Sequence, residues 1–74
     1  MRCEIEDYQT GWVQIYLRFT PNEIEELIER LKKLRELNDG SHFHLANEHQ
    51  EKSGVADIEI SLQGSNETSN MRLL

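Results

Sequence analysis

Four short stretches of this 74-residue chain alternate between apolar and polar residues, and they lie in pairs on either side of one helical pattern. Alternation with a period of two is typical of strands that face a core on one side only. The stretches cover residues 2–6, 12–19, 41–45 and 54–62. The pattern therefore predicts two β-hairpins joined by a helix, in the order ββαββ.

The helical pattern covers residues 21–38 and carries signals at both ends. Thr20 stands at the N-cap, Pro21 at the first helical position and Glu23 at the third, which together make a capping box. Asn38-Asp39-Gly40 supplies the stop signal. Apolar residues recur at helical spacing and form one stripe: Ile24, Leu27, Ile28, Leu31 and Leu34. This stripe predicts that one side of the helix packs on a sheet.

The expected architecture follows from the order and lengths of these elements. A helix of this size spans roughly 25 Å, which is close to the length of the strand before it, so it can return the chain across one sheet face. We therefore expect an α+β domain of two layers, a four-stranded, mostly antiparallel sheet with one helix packed on one face. The domain is expected to cover residues 1–64, and the Ser/Asn-rich residues 65–74 to form a mobile tail.

Composition narrows the functional classes. The net charge of −6 disfavours nucleic acid and membranes as partners, because binding phosphate groups needs clustered Lys and Arg. It favours a basic protein partner, or it is the ordinary acidity of a cytosolic protein. Cys3 is the single cysteine, which excludes an internal disulfide. It lies two positions from Ile5 in the alternation, so we expect it to face the core as a small apolar residue. Without a signal peptide or membrane-spanning stretch, we expect a cytoplasmic protein.

One helix covers only one face of a sheet, so the opposite face is left open to solvent or to a partner. Trp12 and Tyr16 share the parity of that face, and their rings are expected to be neighbours. Trp, Tyr and Arg are enriched in interface hot spots, and the same strand also supplies Arg18. An aromatic pair on a solvated sheet, Trp12 covering the sheet end, and a homodimer through this face remain open. The predicted partner-binding residues are Trp12, Tyr16, Arg18, His42, His44, Asp57 and Glu59.

His42 and His44 also raise the possibility of a metal site. Imidazoles two positions apart on a strand project together about 7 Å apart, which suits two ligands of one ion. Asp57 or Glu59 can add a carboxylate from the neighbouring strand, and His49 can reach in from the loop. Structural zinc sites usually include cysteine, and the chain has no Cys-x-x-Cys motif. We therefore predict neither metal nor cofactor, and keep metal binding as an alternative.

Catalysis finds little support in the sequence. Asp57 and Glu59 share a face, but the sequence gives no sign of a pocket that raises the pKa of either carboxyl group. No glycine-rich phosphate loop or nucleophile elbow is present. We predict that the protein is not an enzyme and has no catalytic residues.

Four short motifs stand together within residues 11–62: Gly11-Trp12-Val13, Thr20-Pro21, His42-Phe43-His44-Leu45 and the Gly-Val-Ala-Asp-Ile-Glu-Ile run at 54–60. In combination they resemble the motifs of small bacterial immunity proteins of polymorphic toxin systems (immunity family thirty-two). It implies a non-enzymatic α+β protein that binds and neutralises a cognate toxin. Many such toxins are basic nucleases, and an acidic inhibitor can occupy a site evolved for phosphates. A structural homodimer and a metal-binding accessory protein are the alternatives.

Overall fold

The computed structural model describes residues 1–47 and 54–74. Its elements, in chain order, are β1 (Arg2–Asp7), β2 (Val13–Arg18), α1 (Pro21–Arg35), β3 (His42–Asn47) and β4 (Asp57–Ser61). The ββαββ order and the α+β class are confirmed. The prediction of one four-stranded sheet is wrong, because within the described ranges β1 pairs with β2, and β3 pairs with β4, as two separate antiparallel sheets. Alternation specifies which residues share a strand face, but it does not specify which hairpin edges join.

The chain divides into two compact units, and the division falls inside α1. Unit 1 is Met1–Leu31 and unit 2 is Lys32–Leu74. The single domain over residues 1–64 and the mobile tail over residues 65–74 stay predictions. Part of the tail is hydrogen-bonded to the turn before β3: the amide of Ser65 donates to Asp39 Oδ2 at 2.9 Å, which lowers the pKa of Asp39.

The apolar face of β1–β2 is exposed rather than buried. Cys3 pairs with Leu17 and Ile5 with Ile15, so the register gathers apolar side chains on one face as the alternation predicts. Ile15 is nevertheless 61% exposed. Of the four positions of the α1 stripe in unit 1, Ile24, Ile28 and Leu31 are likewise exposed and Leu27 is half-buried. The expected close packing of the helix on a sheet is therefore not observed within unit 1. A sheet of two strands offers only a narrow face on which to bury the helix stripe.

The start of α1 has the predicted capping box. The amide of Glu23 donates to Thr20 Oγ1 at 3.2 Å, and the amide of Thr20 donates to Glu23 Oε1 at 2.9 Å. These two bonds satisfy backbone groups that a helix N-terminus otherwise leaves unpaired. The helix is neither long nor apolar enough to cross a membrane, and no other helix occurs in the described ranges.

The end of α1 falls at Arg35, three residues before the predicted position. The amides of Glu36 and Leu37 donate to carbonyls three residues back, which tightens the chain into a 3₁₀-type turn after the helix. Gly40 then has a φ of 82°, a left-handed conformation that glycine adopts without steric cost. The chain then enters β3 at His42.

Acid titration of the capping box is expected to show a strongly acidic carboxyl group. A hydrogen bond from the N-terminal ammonium and one from the Thr20 amide lower the pKa of Glu23 from 4.5 to about 2. Because the folded-state pKa lies below the unfolded value, ionised Glu23 stabilises the fold above pH 4.5, and this contribution is lost as the pH falls towards 2. Carboxyl ¹³C NMR should give a midpoint near pH 2 for Glu23, and Glu23→Gln should flatten the decline in stability over that window. Glu25→Gln leaves the box intact and should keep the wild-type decline; an identical decline in Glu23→Gln contradicts the assignment.

Unit 2 holds the best-buried side chain of the described residues. Leu34, near the end of α1, is 6% exposed. In β3–β4, Phe43 pairs with Ile60 on the apolar side, and an irregularity in the register lies between His44 and Ala46. This bulge interrupts the strict alternation that the sequence predicts for β3.

Candidate functional site

The predicted partner-binding residues divide between the two units. Three lie on the β1–β2 hairpin of unit 1, namely Trp12, Tyr16 and Arg18. Four lie on β3–β4 of unit 2, namely His42, His44, Asp57 and Glu59. The structure therefore defines two groups of candidate residues, each with its own neighbours.

Charged pairs occupy the end of the β1–β2 sheet that is farther from the hairpin loop. Arg2 Nε lies 2.5 Å from Glu4 Oε1, and Arg18 Nη1 lies 3.2 Å from the same oxygen. The hydrogen bond from Arg2, its charge and the charge of Arg18 lower the pKa of Glu4. Arg18, which we predict to contact a partner, is thus already paired within its own hairpin. Such exposed ion pairs contribute little to stability, so Arg18 can exchange Glu4 for another carboxylate at small cost.

Two acidic residues, Glu6 and Asp7, occupy the loop end of the same hairpin, and the hydroxyl of Tyr16 reaches Glu6 from its position opposite Glu4. The phenol of Tyr16 donates to Glu6 Oε2 at 3.1 Å, which raises the pKa of Tyr16. The amide of Gln9 donates to Asp7 Oδ1 at 2.8 Å. Both donors are neutral, so these two hydrogen bonds leave the negative charges of Glu6 and Asp7 uncompensated. The loop end is therefore acidic, whereas the opposite end has arginines paired with Glu4.

Trp12 lies in the hairpin loop, immediately before β2. Its carbonyl accepts a hydrogen bond from the amide of Tyr8 at 3.1 Å, which closes the loop. Gly11 supports the turn with a φ of 94°. The Trp12 side chain is 75% exposed. Within the described residues no ring contact joins Trp12 to Tyr16, and Trp12 precedes β2 rather than lying in it.

A second cluster lies on the polar face of β3–β4. His44 Nδ1 lies 2.7 Å from Asp57 Oδ1, and this hydrogen bond raises the pKa of His44. His42 Nε2 lies 3.9 Å from Glu59 Oε1, which is too long for a hydrogen bond. The other oxygen of Glu59 accepts a 2.6 Å hydrogen bond from Ser61 Oγ. The two imidazole rings meet edge to face, with centroids 5.2 Å apart and planes at 87°.

Three of these side chains carry atoms that can bind a metal ion, and these atoms lie close to one another. One ligand atom each from His42, His44 and Glu59 lies within 4.8 Å of the others. His49, which the sequence suggested as a further ligand, lies outside the described residues. All three residues were predicted from the sequence as partner contacts, with metal binding as the alternative.

Two acidic residues of the β1–β2 loop end are not among the predicted partner-binding residues, although Glu6 has the parity of the open face and its carboxylate was expected to complement a basic partner. Glu6 pairs with Gln14 and Asp7 with Val13 in the hairpin register, and Val13 directly follows Trp12 in the chain. The signal that locates them is the length of the hairpin loop, because loop length determines which β1 residues reach the start of β2.

No family model matches this chain, and no curated protein or solved structure matches it. The likeness to immunity proteins therefore rests on the sequence motifs alone.

Proposed function

We propose that this chain is a non-enzymatic binding protein and that the loop end of the β1–β2 hairpin docks onto a basic protein partner. The Trp12 end, as we name it, consists of Glu6, Asp7, Trp12 and Tyr16. The observation that carries the proposal is a 75% exposed tryptophan in the hairpin loop that follows two carboxylates at the end of β1, whose negative charges their hydrogen bonds leave uncompensated.

The aromatic part of the Trp12 end supplies the apolar anchor. Tryptophan has a large apolar area and is among the residues most enriched in interface hot spots. The indole of Trp12 is largely hydrated in the free chain, so a partner pocket that encloses it removes apolar surface from water. Tyr16 is partly buried and its hydroxyl donates to Glu6, so its side chain is held beside that carboxylate.

The acidic part of the Trp12 end supplies the charge preference. The two hydrogen bonds to Glu6 and Asp7 come from neutral donors, so the negative charges of both carboxylates are available to Lys and Arg side chains of a partner. The net charge of −6 acts in the same direction over a longer range, because it steers a basic protein towards the chain. A basic protein with an apolar pocket is therefore the partner that fits this surface.

The narrower form of the proposal is that the partner is a cognate bacterial toxin, with a nuclease as the leading class. The motif resemblance supports an immunity protein, and an acidic surface complements a site built to bind phosphates. Under this proposal the protein acts in the cytoplasm, binds the toxin and blocks its basic site. Arg18 and the β3–β4 residues His42, His44, Asp57 and Glu59 stay predictions as partner contacts.

The solvent exposure of the indole tests this proposal directly, because Trp12 is the only tryptophan in the chain. An immunity protein predicts a toxin-like reading frame next to its own. The chain is therefore labelled with 5-fluorotryptophan and mixed with an inactivated form of the protein that such an adjacent reading frame encodes. The H₂O/D₂O isotope shift of the ¹⁹F signal should be large in the free chain and should fall sharply in the complex.

Two outcomes contradict the docking proposal. One is a stoichiometric complex in which the ¹⁹F signal keeps its full isotope shift. The other is a free chain whose signal becomes shielded as its own concentration rises, which assigns the surface to a homodimer. An unrelated basic protein serves as the control and should leave the signal unchanged.

A further inference from the structure

We propose that His42, His44 and Glu59 form a binding site for a divalent transition-metal ion, and that zinc is the ion this set of ligands suits best. The site lies on β3–β4 within unit 2, so it is independent of the Trp12 end.

The strand pairing places the three ligands on one small patch. His44 pairs directly with Glu59 across the two strands, and His42 lies two positions along β3 on the same face. Ligand atoms of the three residues already lie within 4.8 Å of one another. A tetrahedral ion bound at about 2.0–2.2 Å from each ligand separates them by about 3.4 Å. Side-chain torsions alone can therefore bring the three ligands onto one ion.

The individual contacts favour an ion between His42 and Glu59. Their facing atoms, Nε2 and Oε1, are 3.9 Å apart, which exceeds a hydrogen bond but is close to the separation of two ligands on one zinc ion. Ser61 holds the other oxygen of Glu59 at 2.6 Å. This hydrogen bond restrains the carboxylate with its free oxygen towards the imidazole of His42.

His44 has the outer hydrogen bond that is characteristic of metal-binding histidines. Such histidines donate one ring N–H to a carboxylate, which fixes the orientation of the ring and increases the basicity of the other nitrogen. In this chain, Asp57 Oδ1 lies 2.7 Å from His44 Nδ1. Nε2 is then the nitrogen that His44 offers to a metal ion, and Asp57 acts as a positioning residue.

The combination of ligands indicates the class of ion. Neutral imidazole nitrogens suit zinc, copper and nickel, whereas calcium and magnesium prefer oxygen ligands. Two histidines and one glutamate are a known zinc-binding set that leaves a fourth position for water. The exposed location of all three residues leaves that position accessible to solvent.

Calorimetric titration of the full chain with zinc chloride in a non-chelating buffer tests the site. The wild-type chain should bind one ion per chain. Loss of an outer hydrogen bond typically weakens metal binding about 10–100-fold, which is the expectation for Asp57→Asn. Removal of a ligand should cost more, so His42→Ala and Glu59→Gln should each weaken binding by more than about 100-fold.

Two control variants keep the test specific. Cys3→Ser removes the only thiol, and Glu26→Gln removes a helix carboxylate 3.9 Å from Arg30; both should bind zinc like the wild type. Circular dichroism of each variant verifies that the fold is retained. The proposal is overturned if the wild type binds no zinc at about 1 mM, if Cys3→Ser abolishes binding, or if folded His42→Ala binds as tightly as the wild type.

Discussion

Replacing Trp12 with alanine should weaken the proposed complex by at least about 30-fold and leave the free chain folded. Truncating a hot-spot residue costs about 2 kcal/mol or more, and each 1.4 kcal/mol corresponds to a tenfold change in Kd. The side chain is 75% exposed, so its removal from the free protein leaves no cavity. The backbone bond from Tyr8 to the carbonyl of residue 12 is retained in the variant. Titration calorimetry gives the Kd, and thermal unfolding gives the stability.

A second exposed apolar residue provides the matched control for this variant. Met71 is 87% exposed and lies at the other end of the chain, so Met71→Ala removes a large apolar side chain outside the Trp12 end. It should leave the Kd unchanged, and both variants should unfold within about 0.5 kcal/mol of the wild type. Equal affinities for Trp12→Ala and the wild type contradict the docking role. Unfolding of Trp12→Ala shows instead that the indole is structural.

Replacing Leu34 with alanine should destabilise unit 2 by about 2–4 kcal/mol, the range for removing a buried leucine side chain. Leu34 is 6% exposed, whereas the other described side chains are at least partly open to solvent. Small domains are stable by only a few kcal/mol, so a loss of this size leaves a large fraction of unit 2 unfolded. Urea unfolding followed by circular dichroism measures the free energy, and hydrogen exchange of the β3–β4 amides locates the loss.

The neighbouring leucine Leu37 provides the comparison. It is 56% exposed, and Leu37→Ala removes the same number of carbon atoms three residues along the chain. The expected change in the free energy of unfolding is within about 0.5 kcal/mol. If Leu34→Ala and Leu37→Ala have equal effects, the packing of unit 2 differs from the one described.

The parts of the fold that depend on neighbouring residues could be predicted from the sequence. The capping box needs only Thr20 and Glu23 at their spacing, and both of its hydrogen bonds are present. Period-two alternation likewise located all four strands. The joining of the hairpins depends on contacts between residues far apart in the chain, which alternation does not encode. For this reason the single four-stranded sheet was the wrong prediction.

The candidate sites show the same division between local and non-local information. Alternation placed His42 and His44 on one face, and the structure finds their rings 5.2 Å apart. The hydrogen bond between His44 and Asp57 depends on the β3–β4 register and its bulge, neither of which alternation reveals. At the other hairpin, Trp12 lies in the loop before β2, so the alternation along the strand could not predict the position of its ring.

Growth of cells that express the toxin-like protein from the adjacent reading frame is the decisive measurement for the proposed neutralising function. We predict that the toxin-like protein arrests growth, that co-expression of the wild-type chain restores growth, and that Trp12→Ala at the same expression level protects much less. Arrest that persists despite the wild-type chain contradicts the proposed neutralising function. Full protection by Trp12→Ala contradicts the assignment of that function to the Trp12 end.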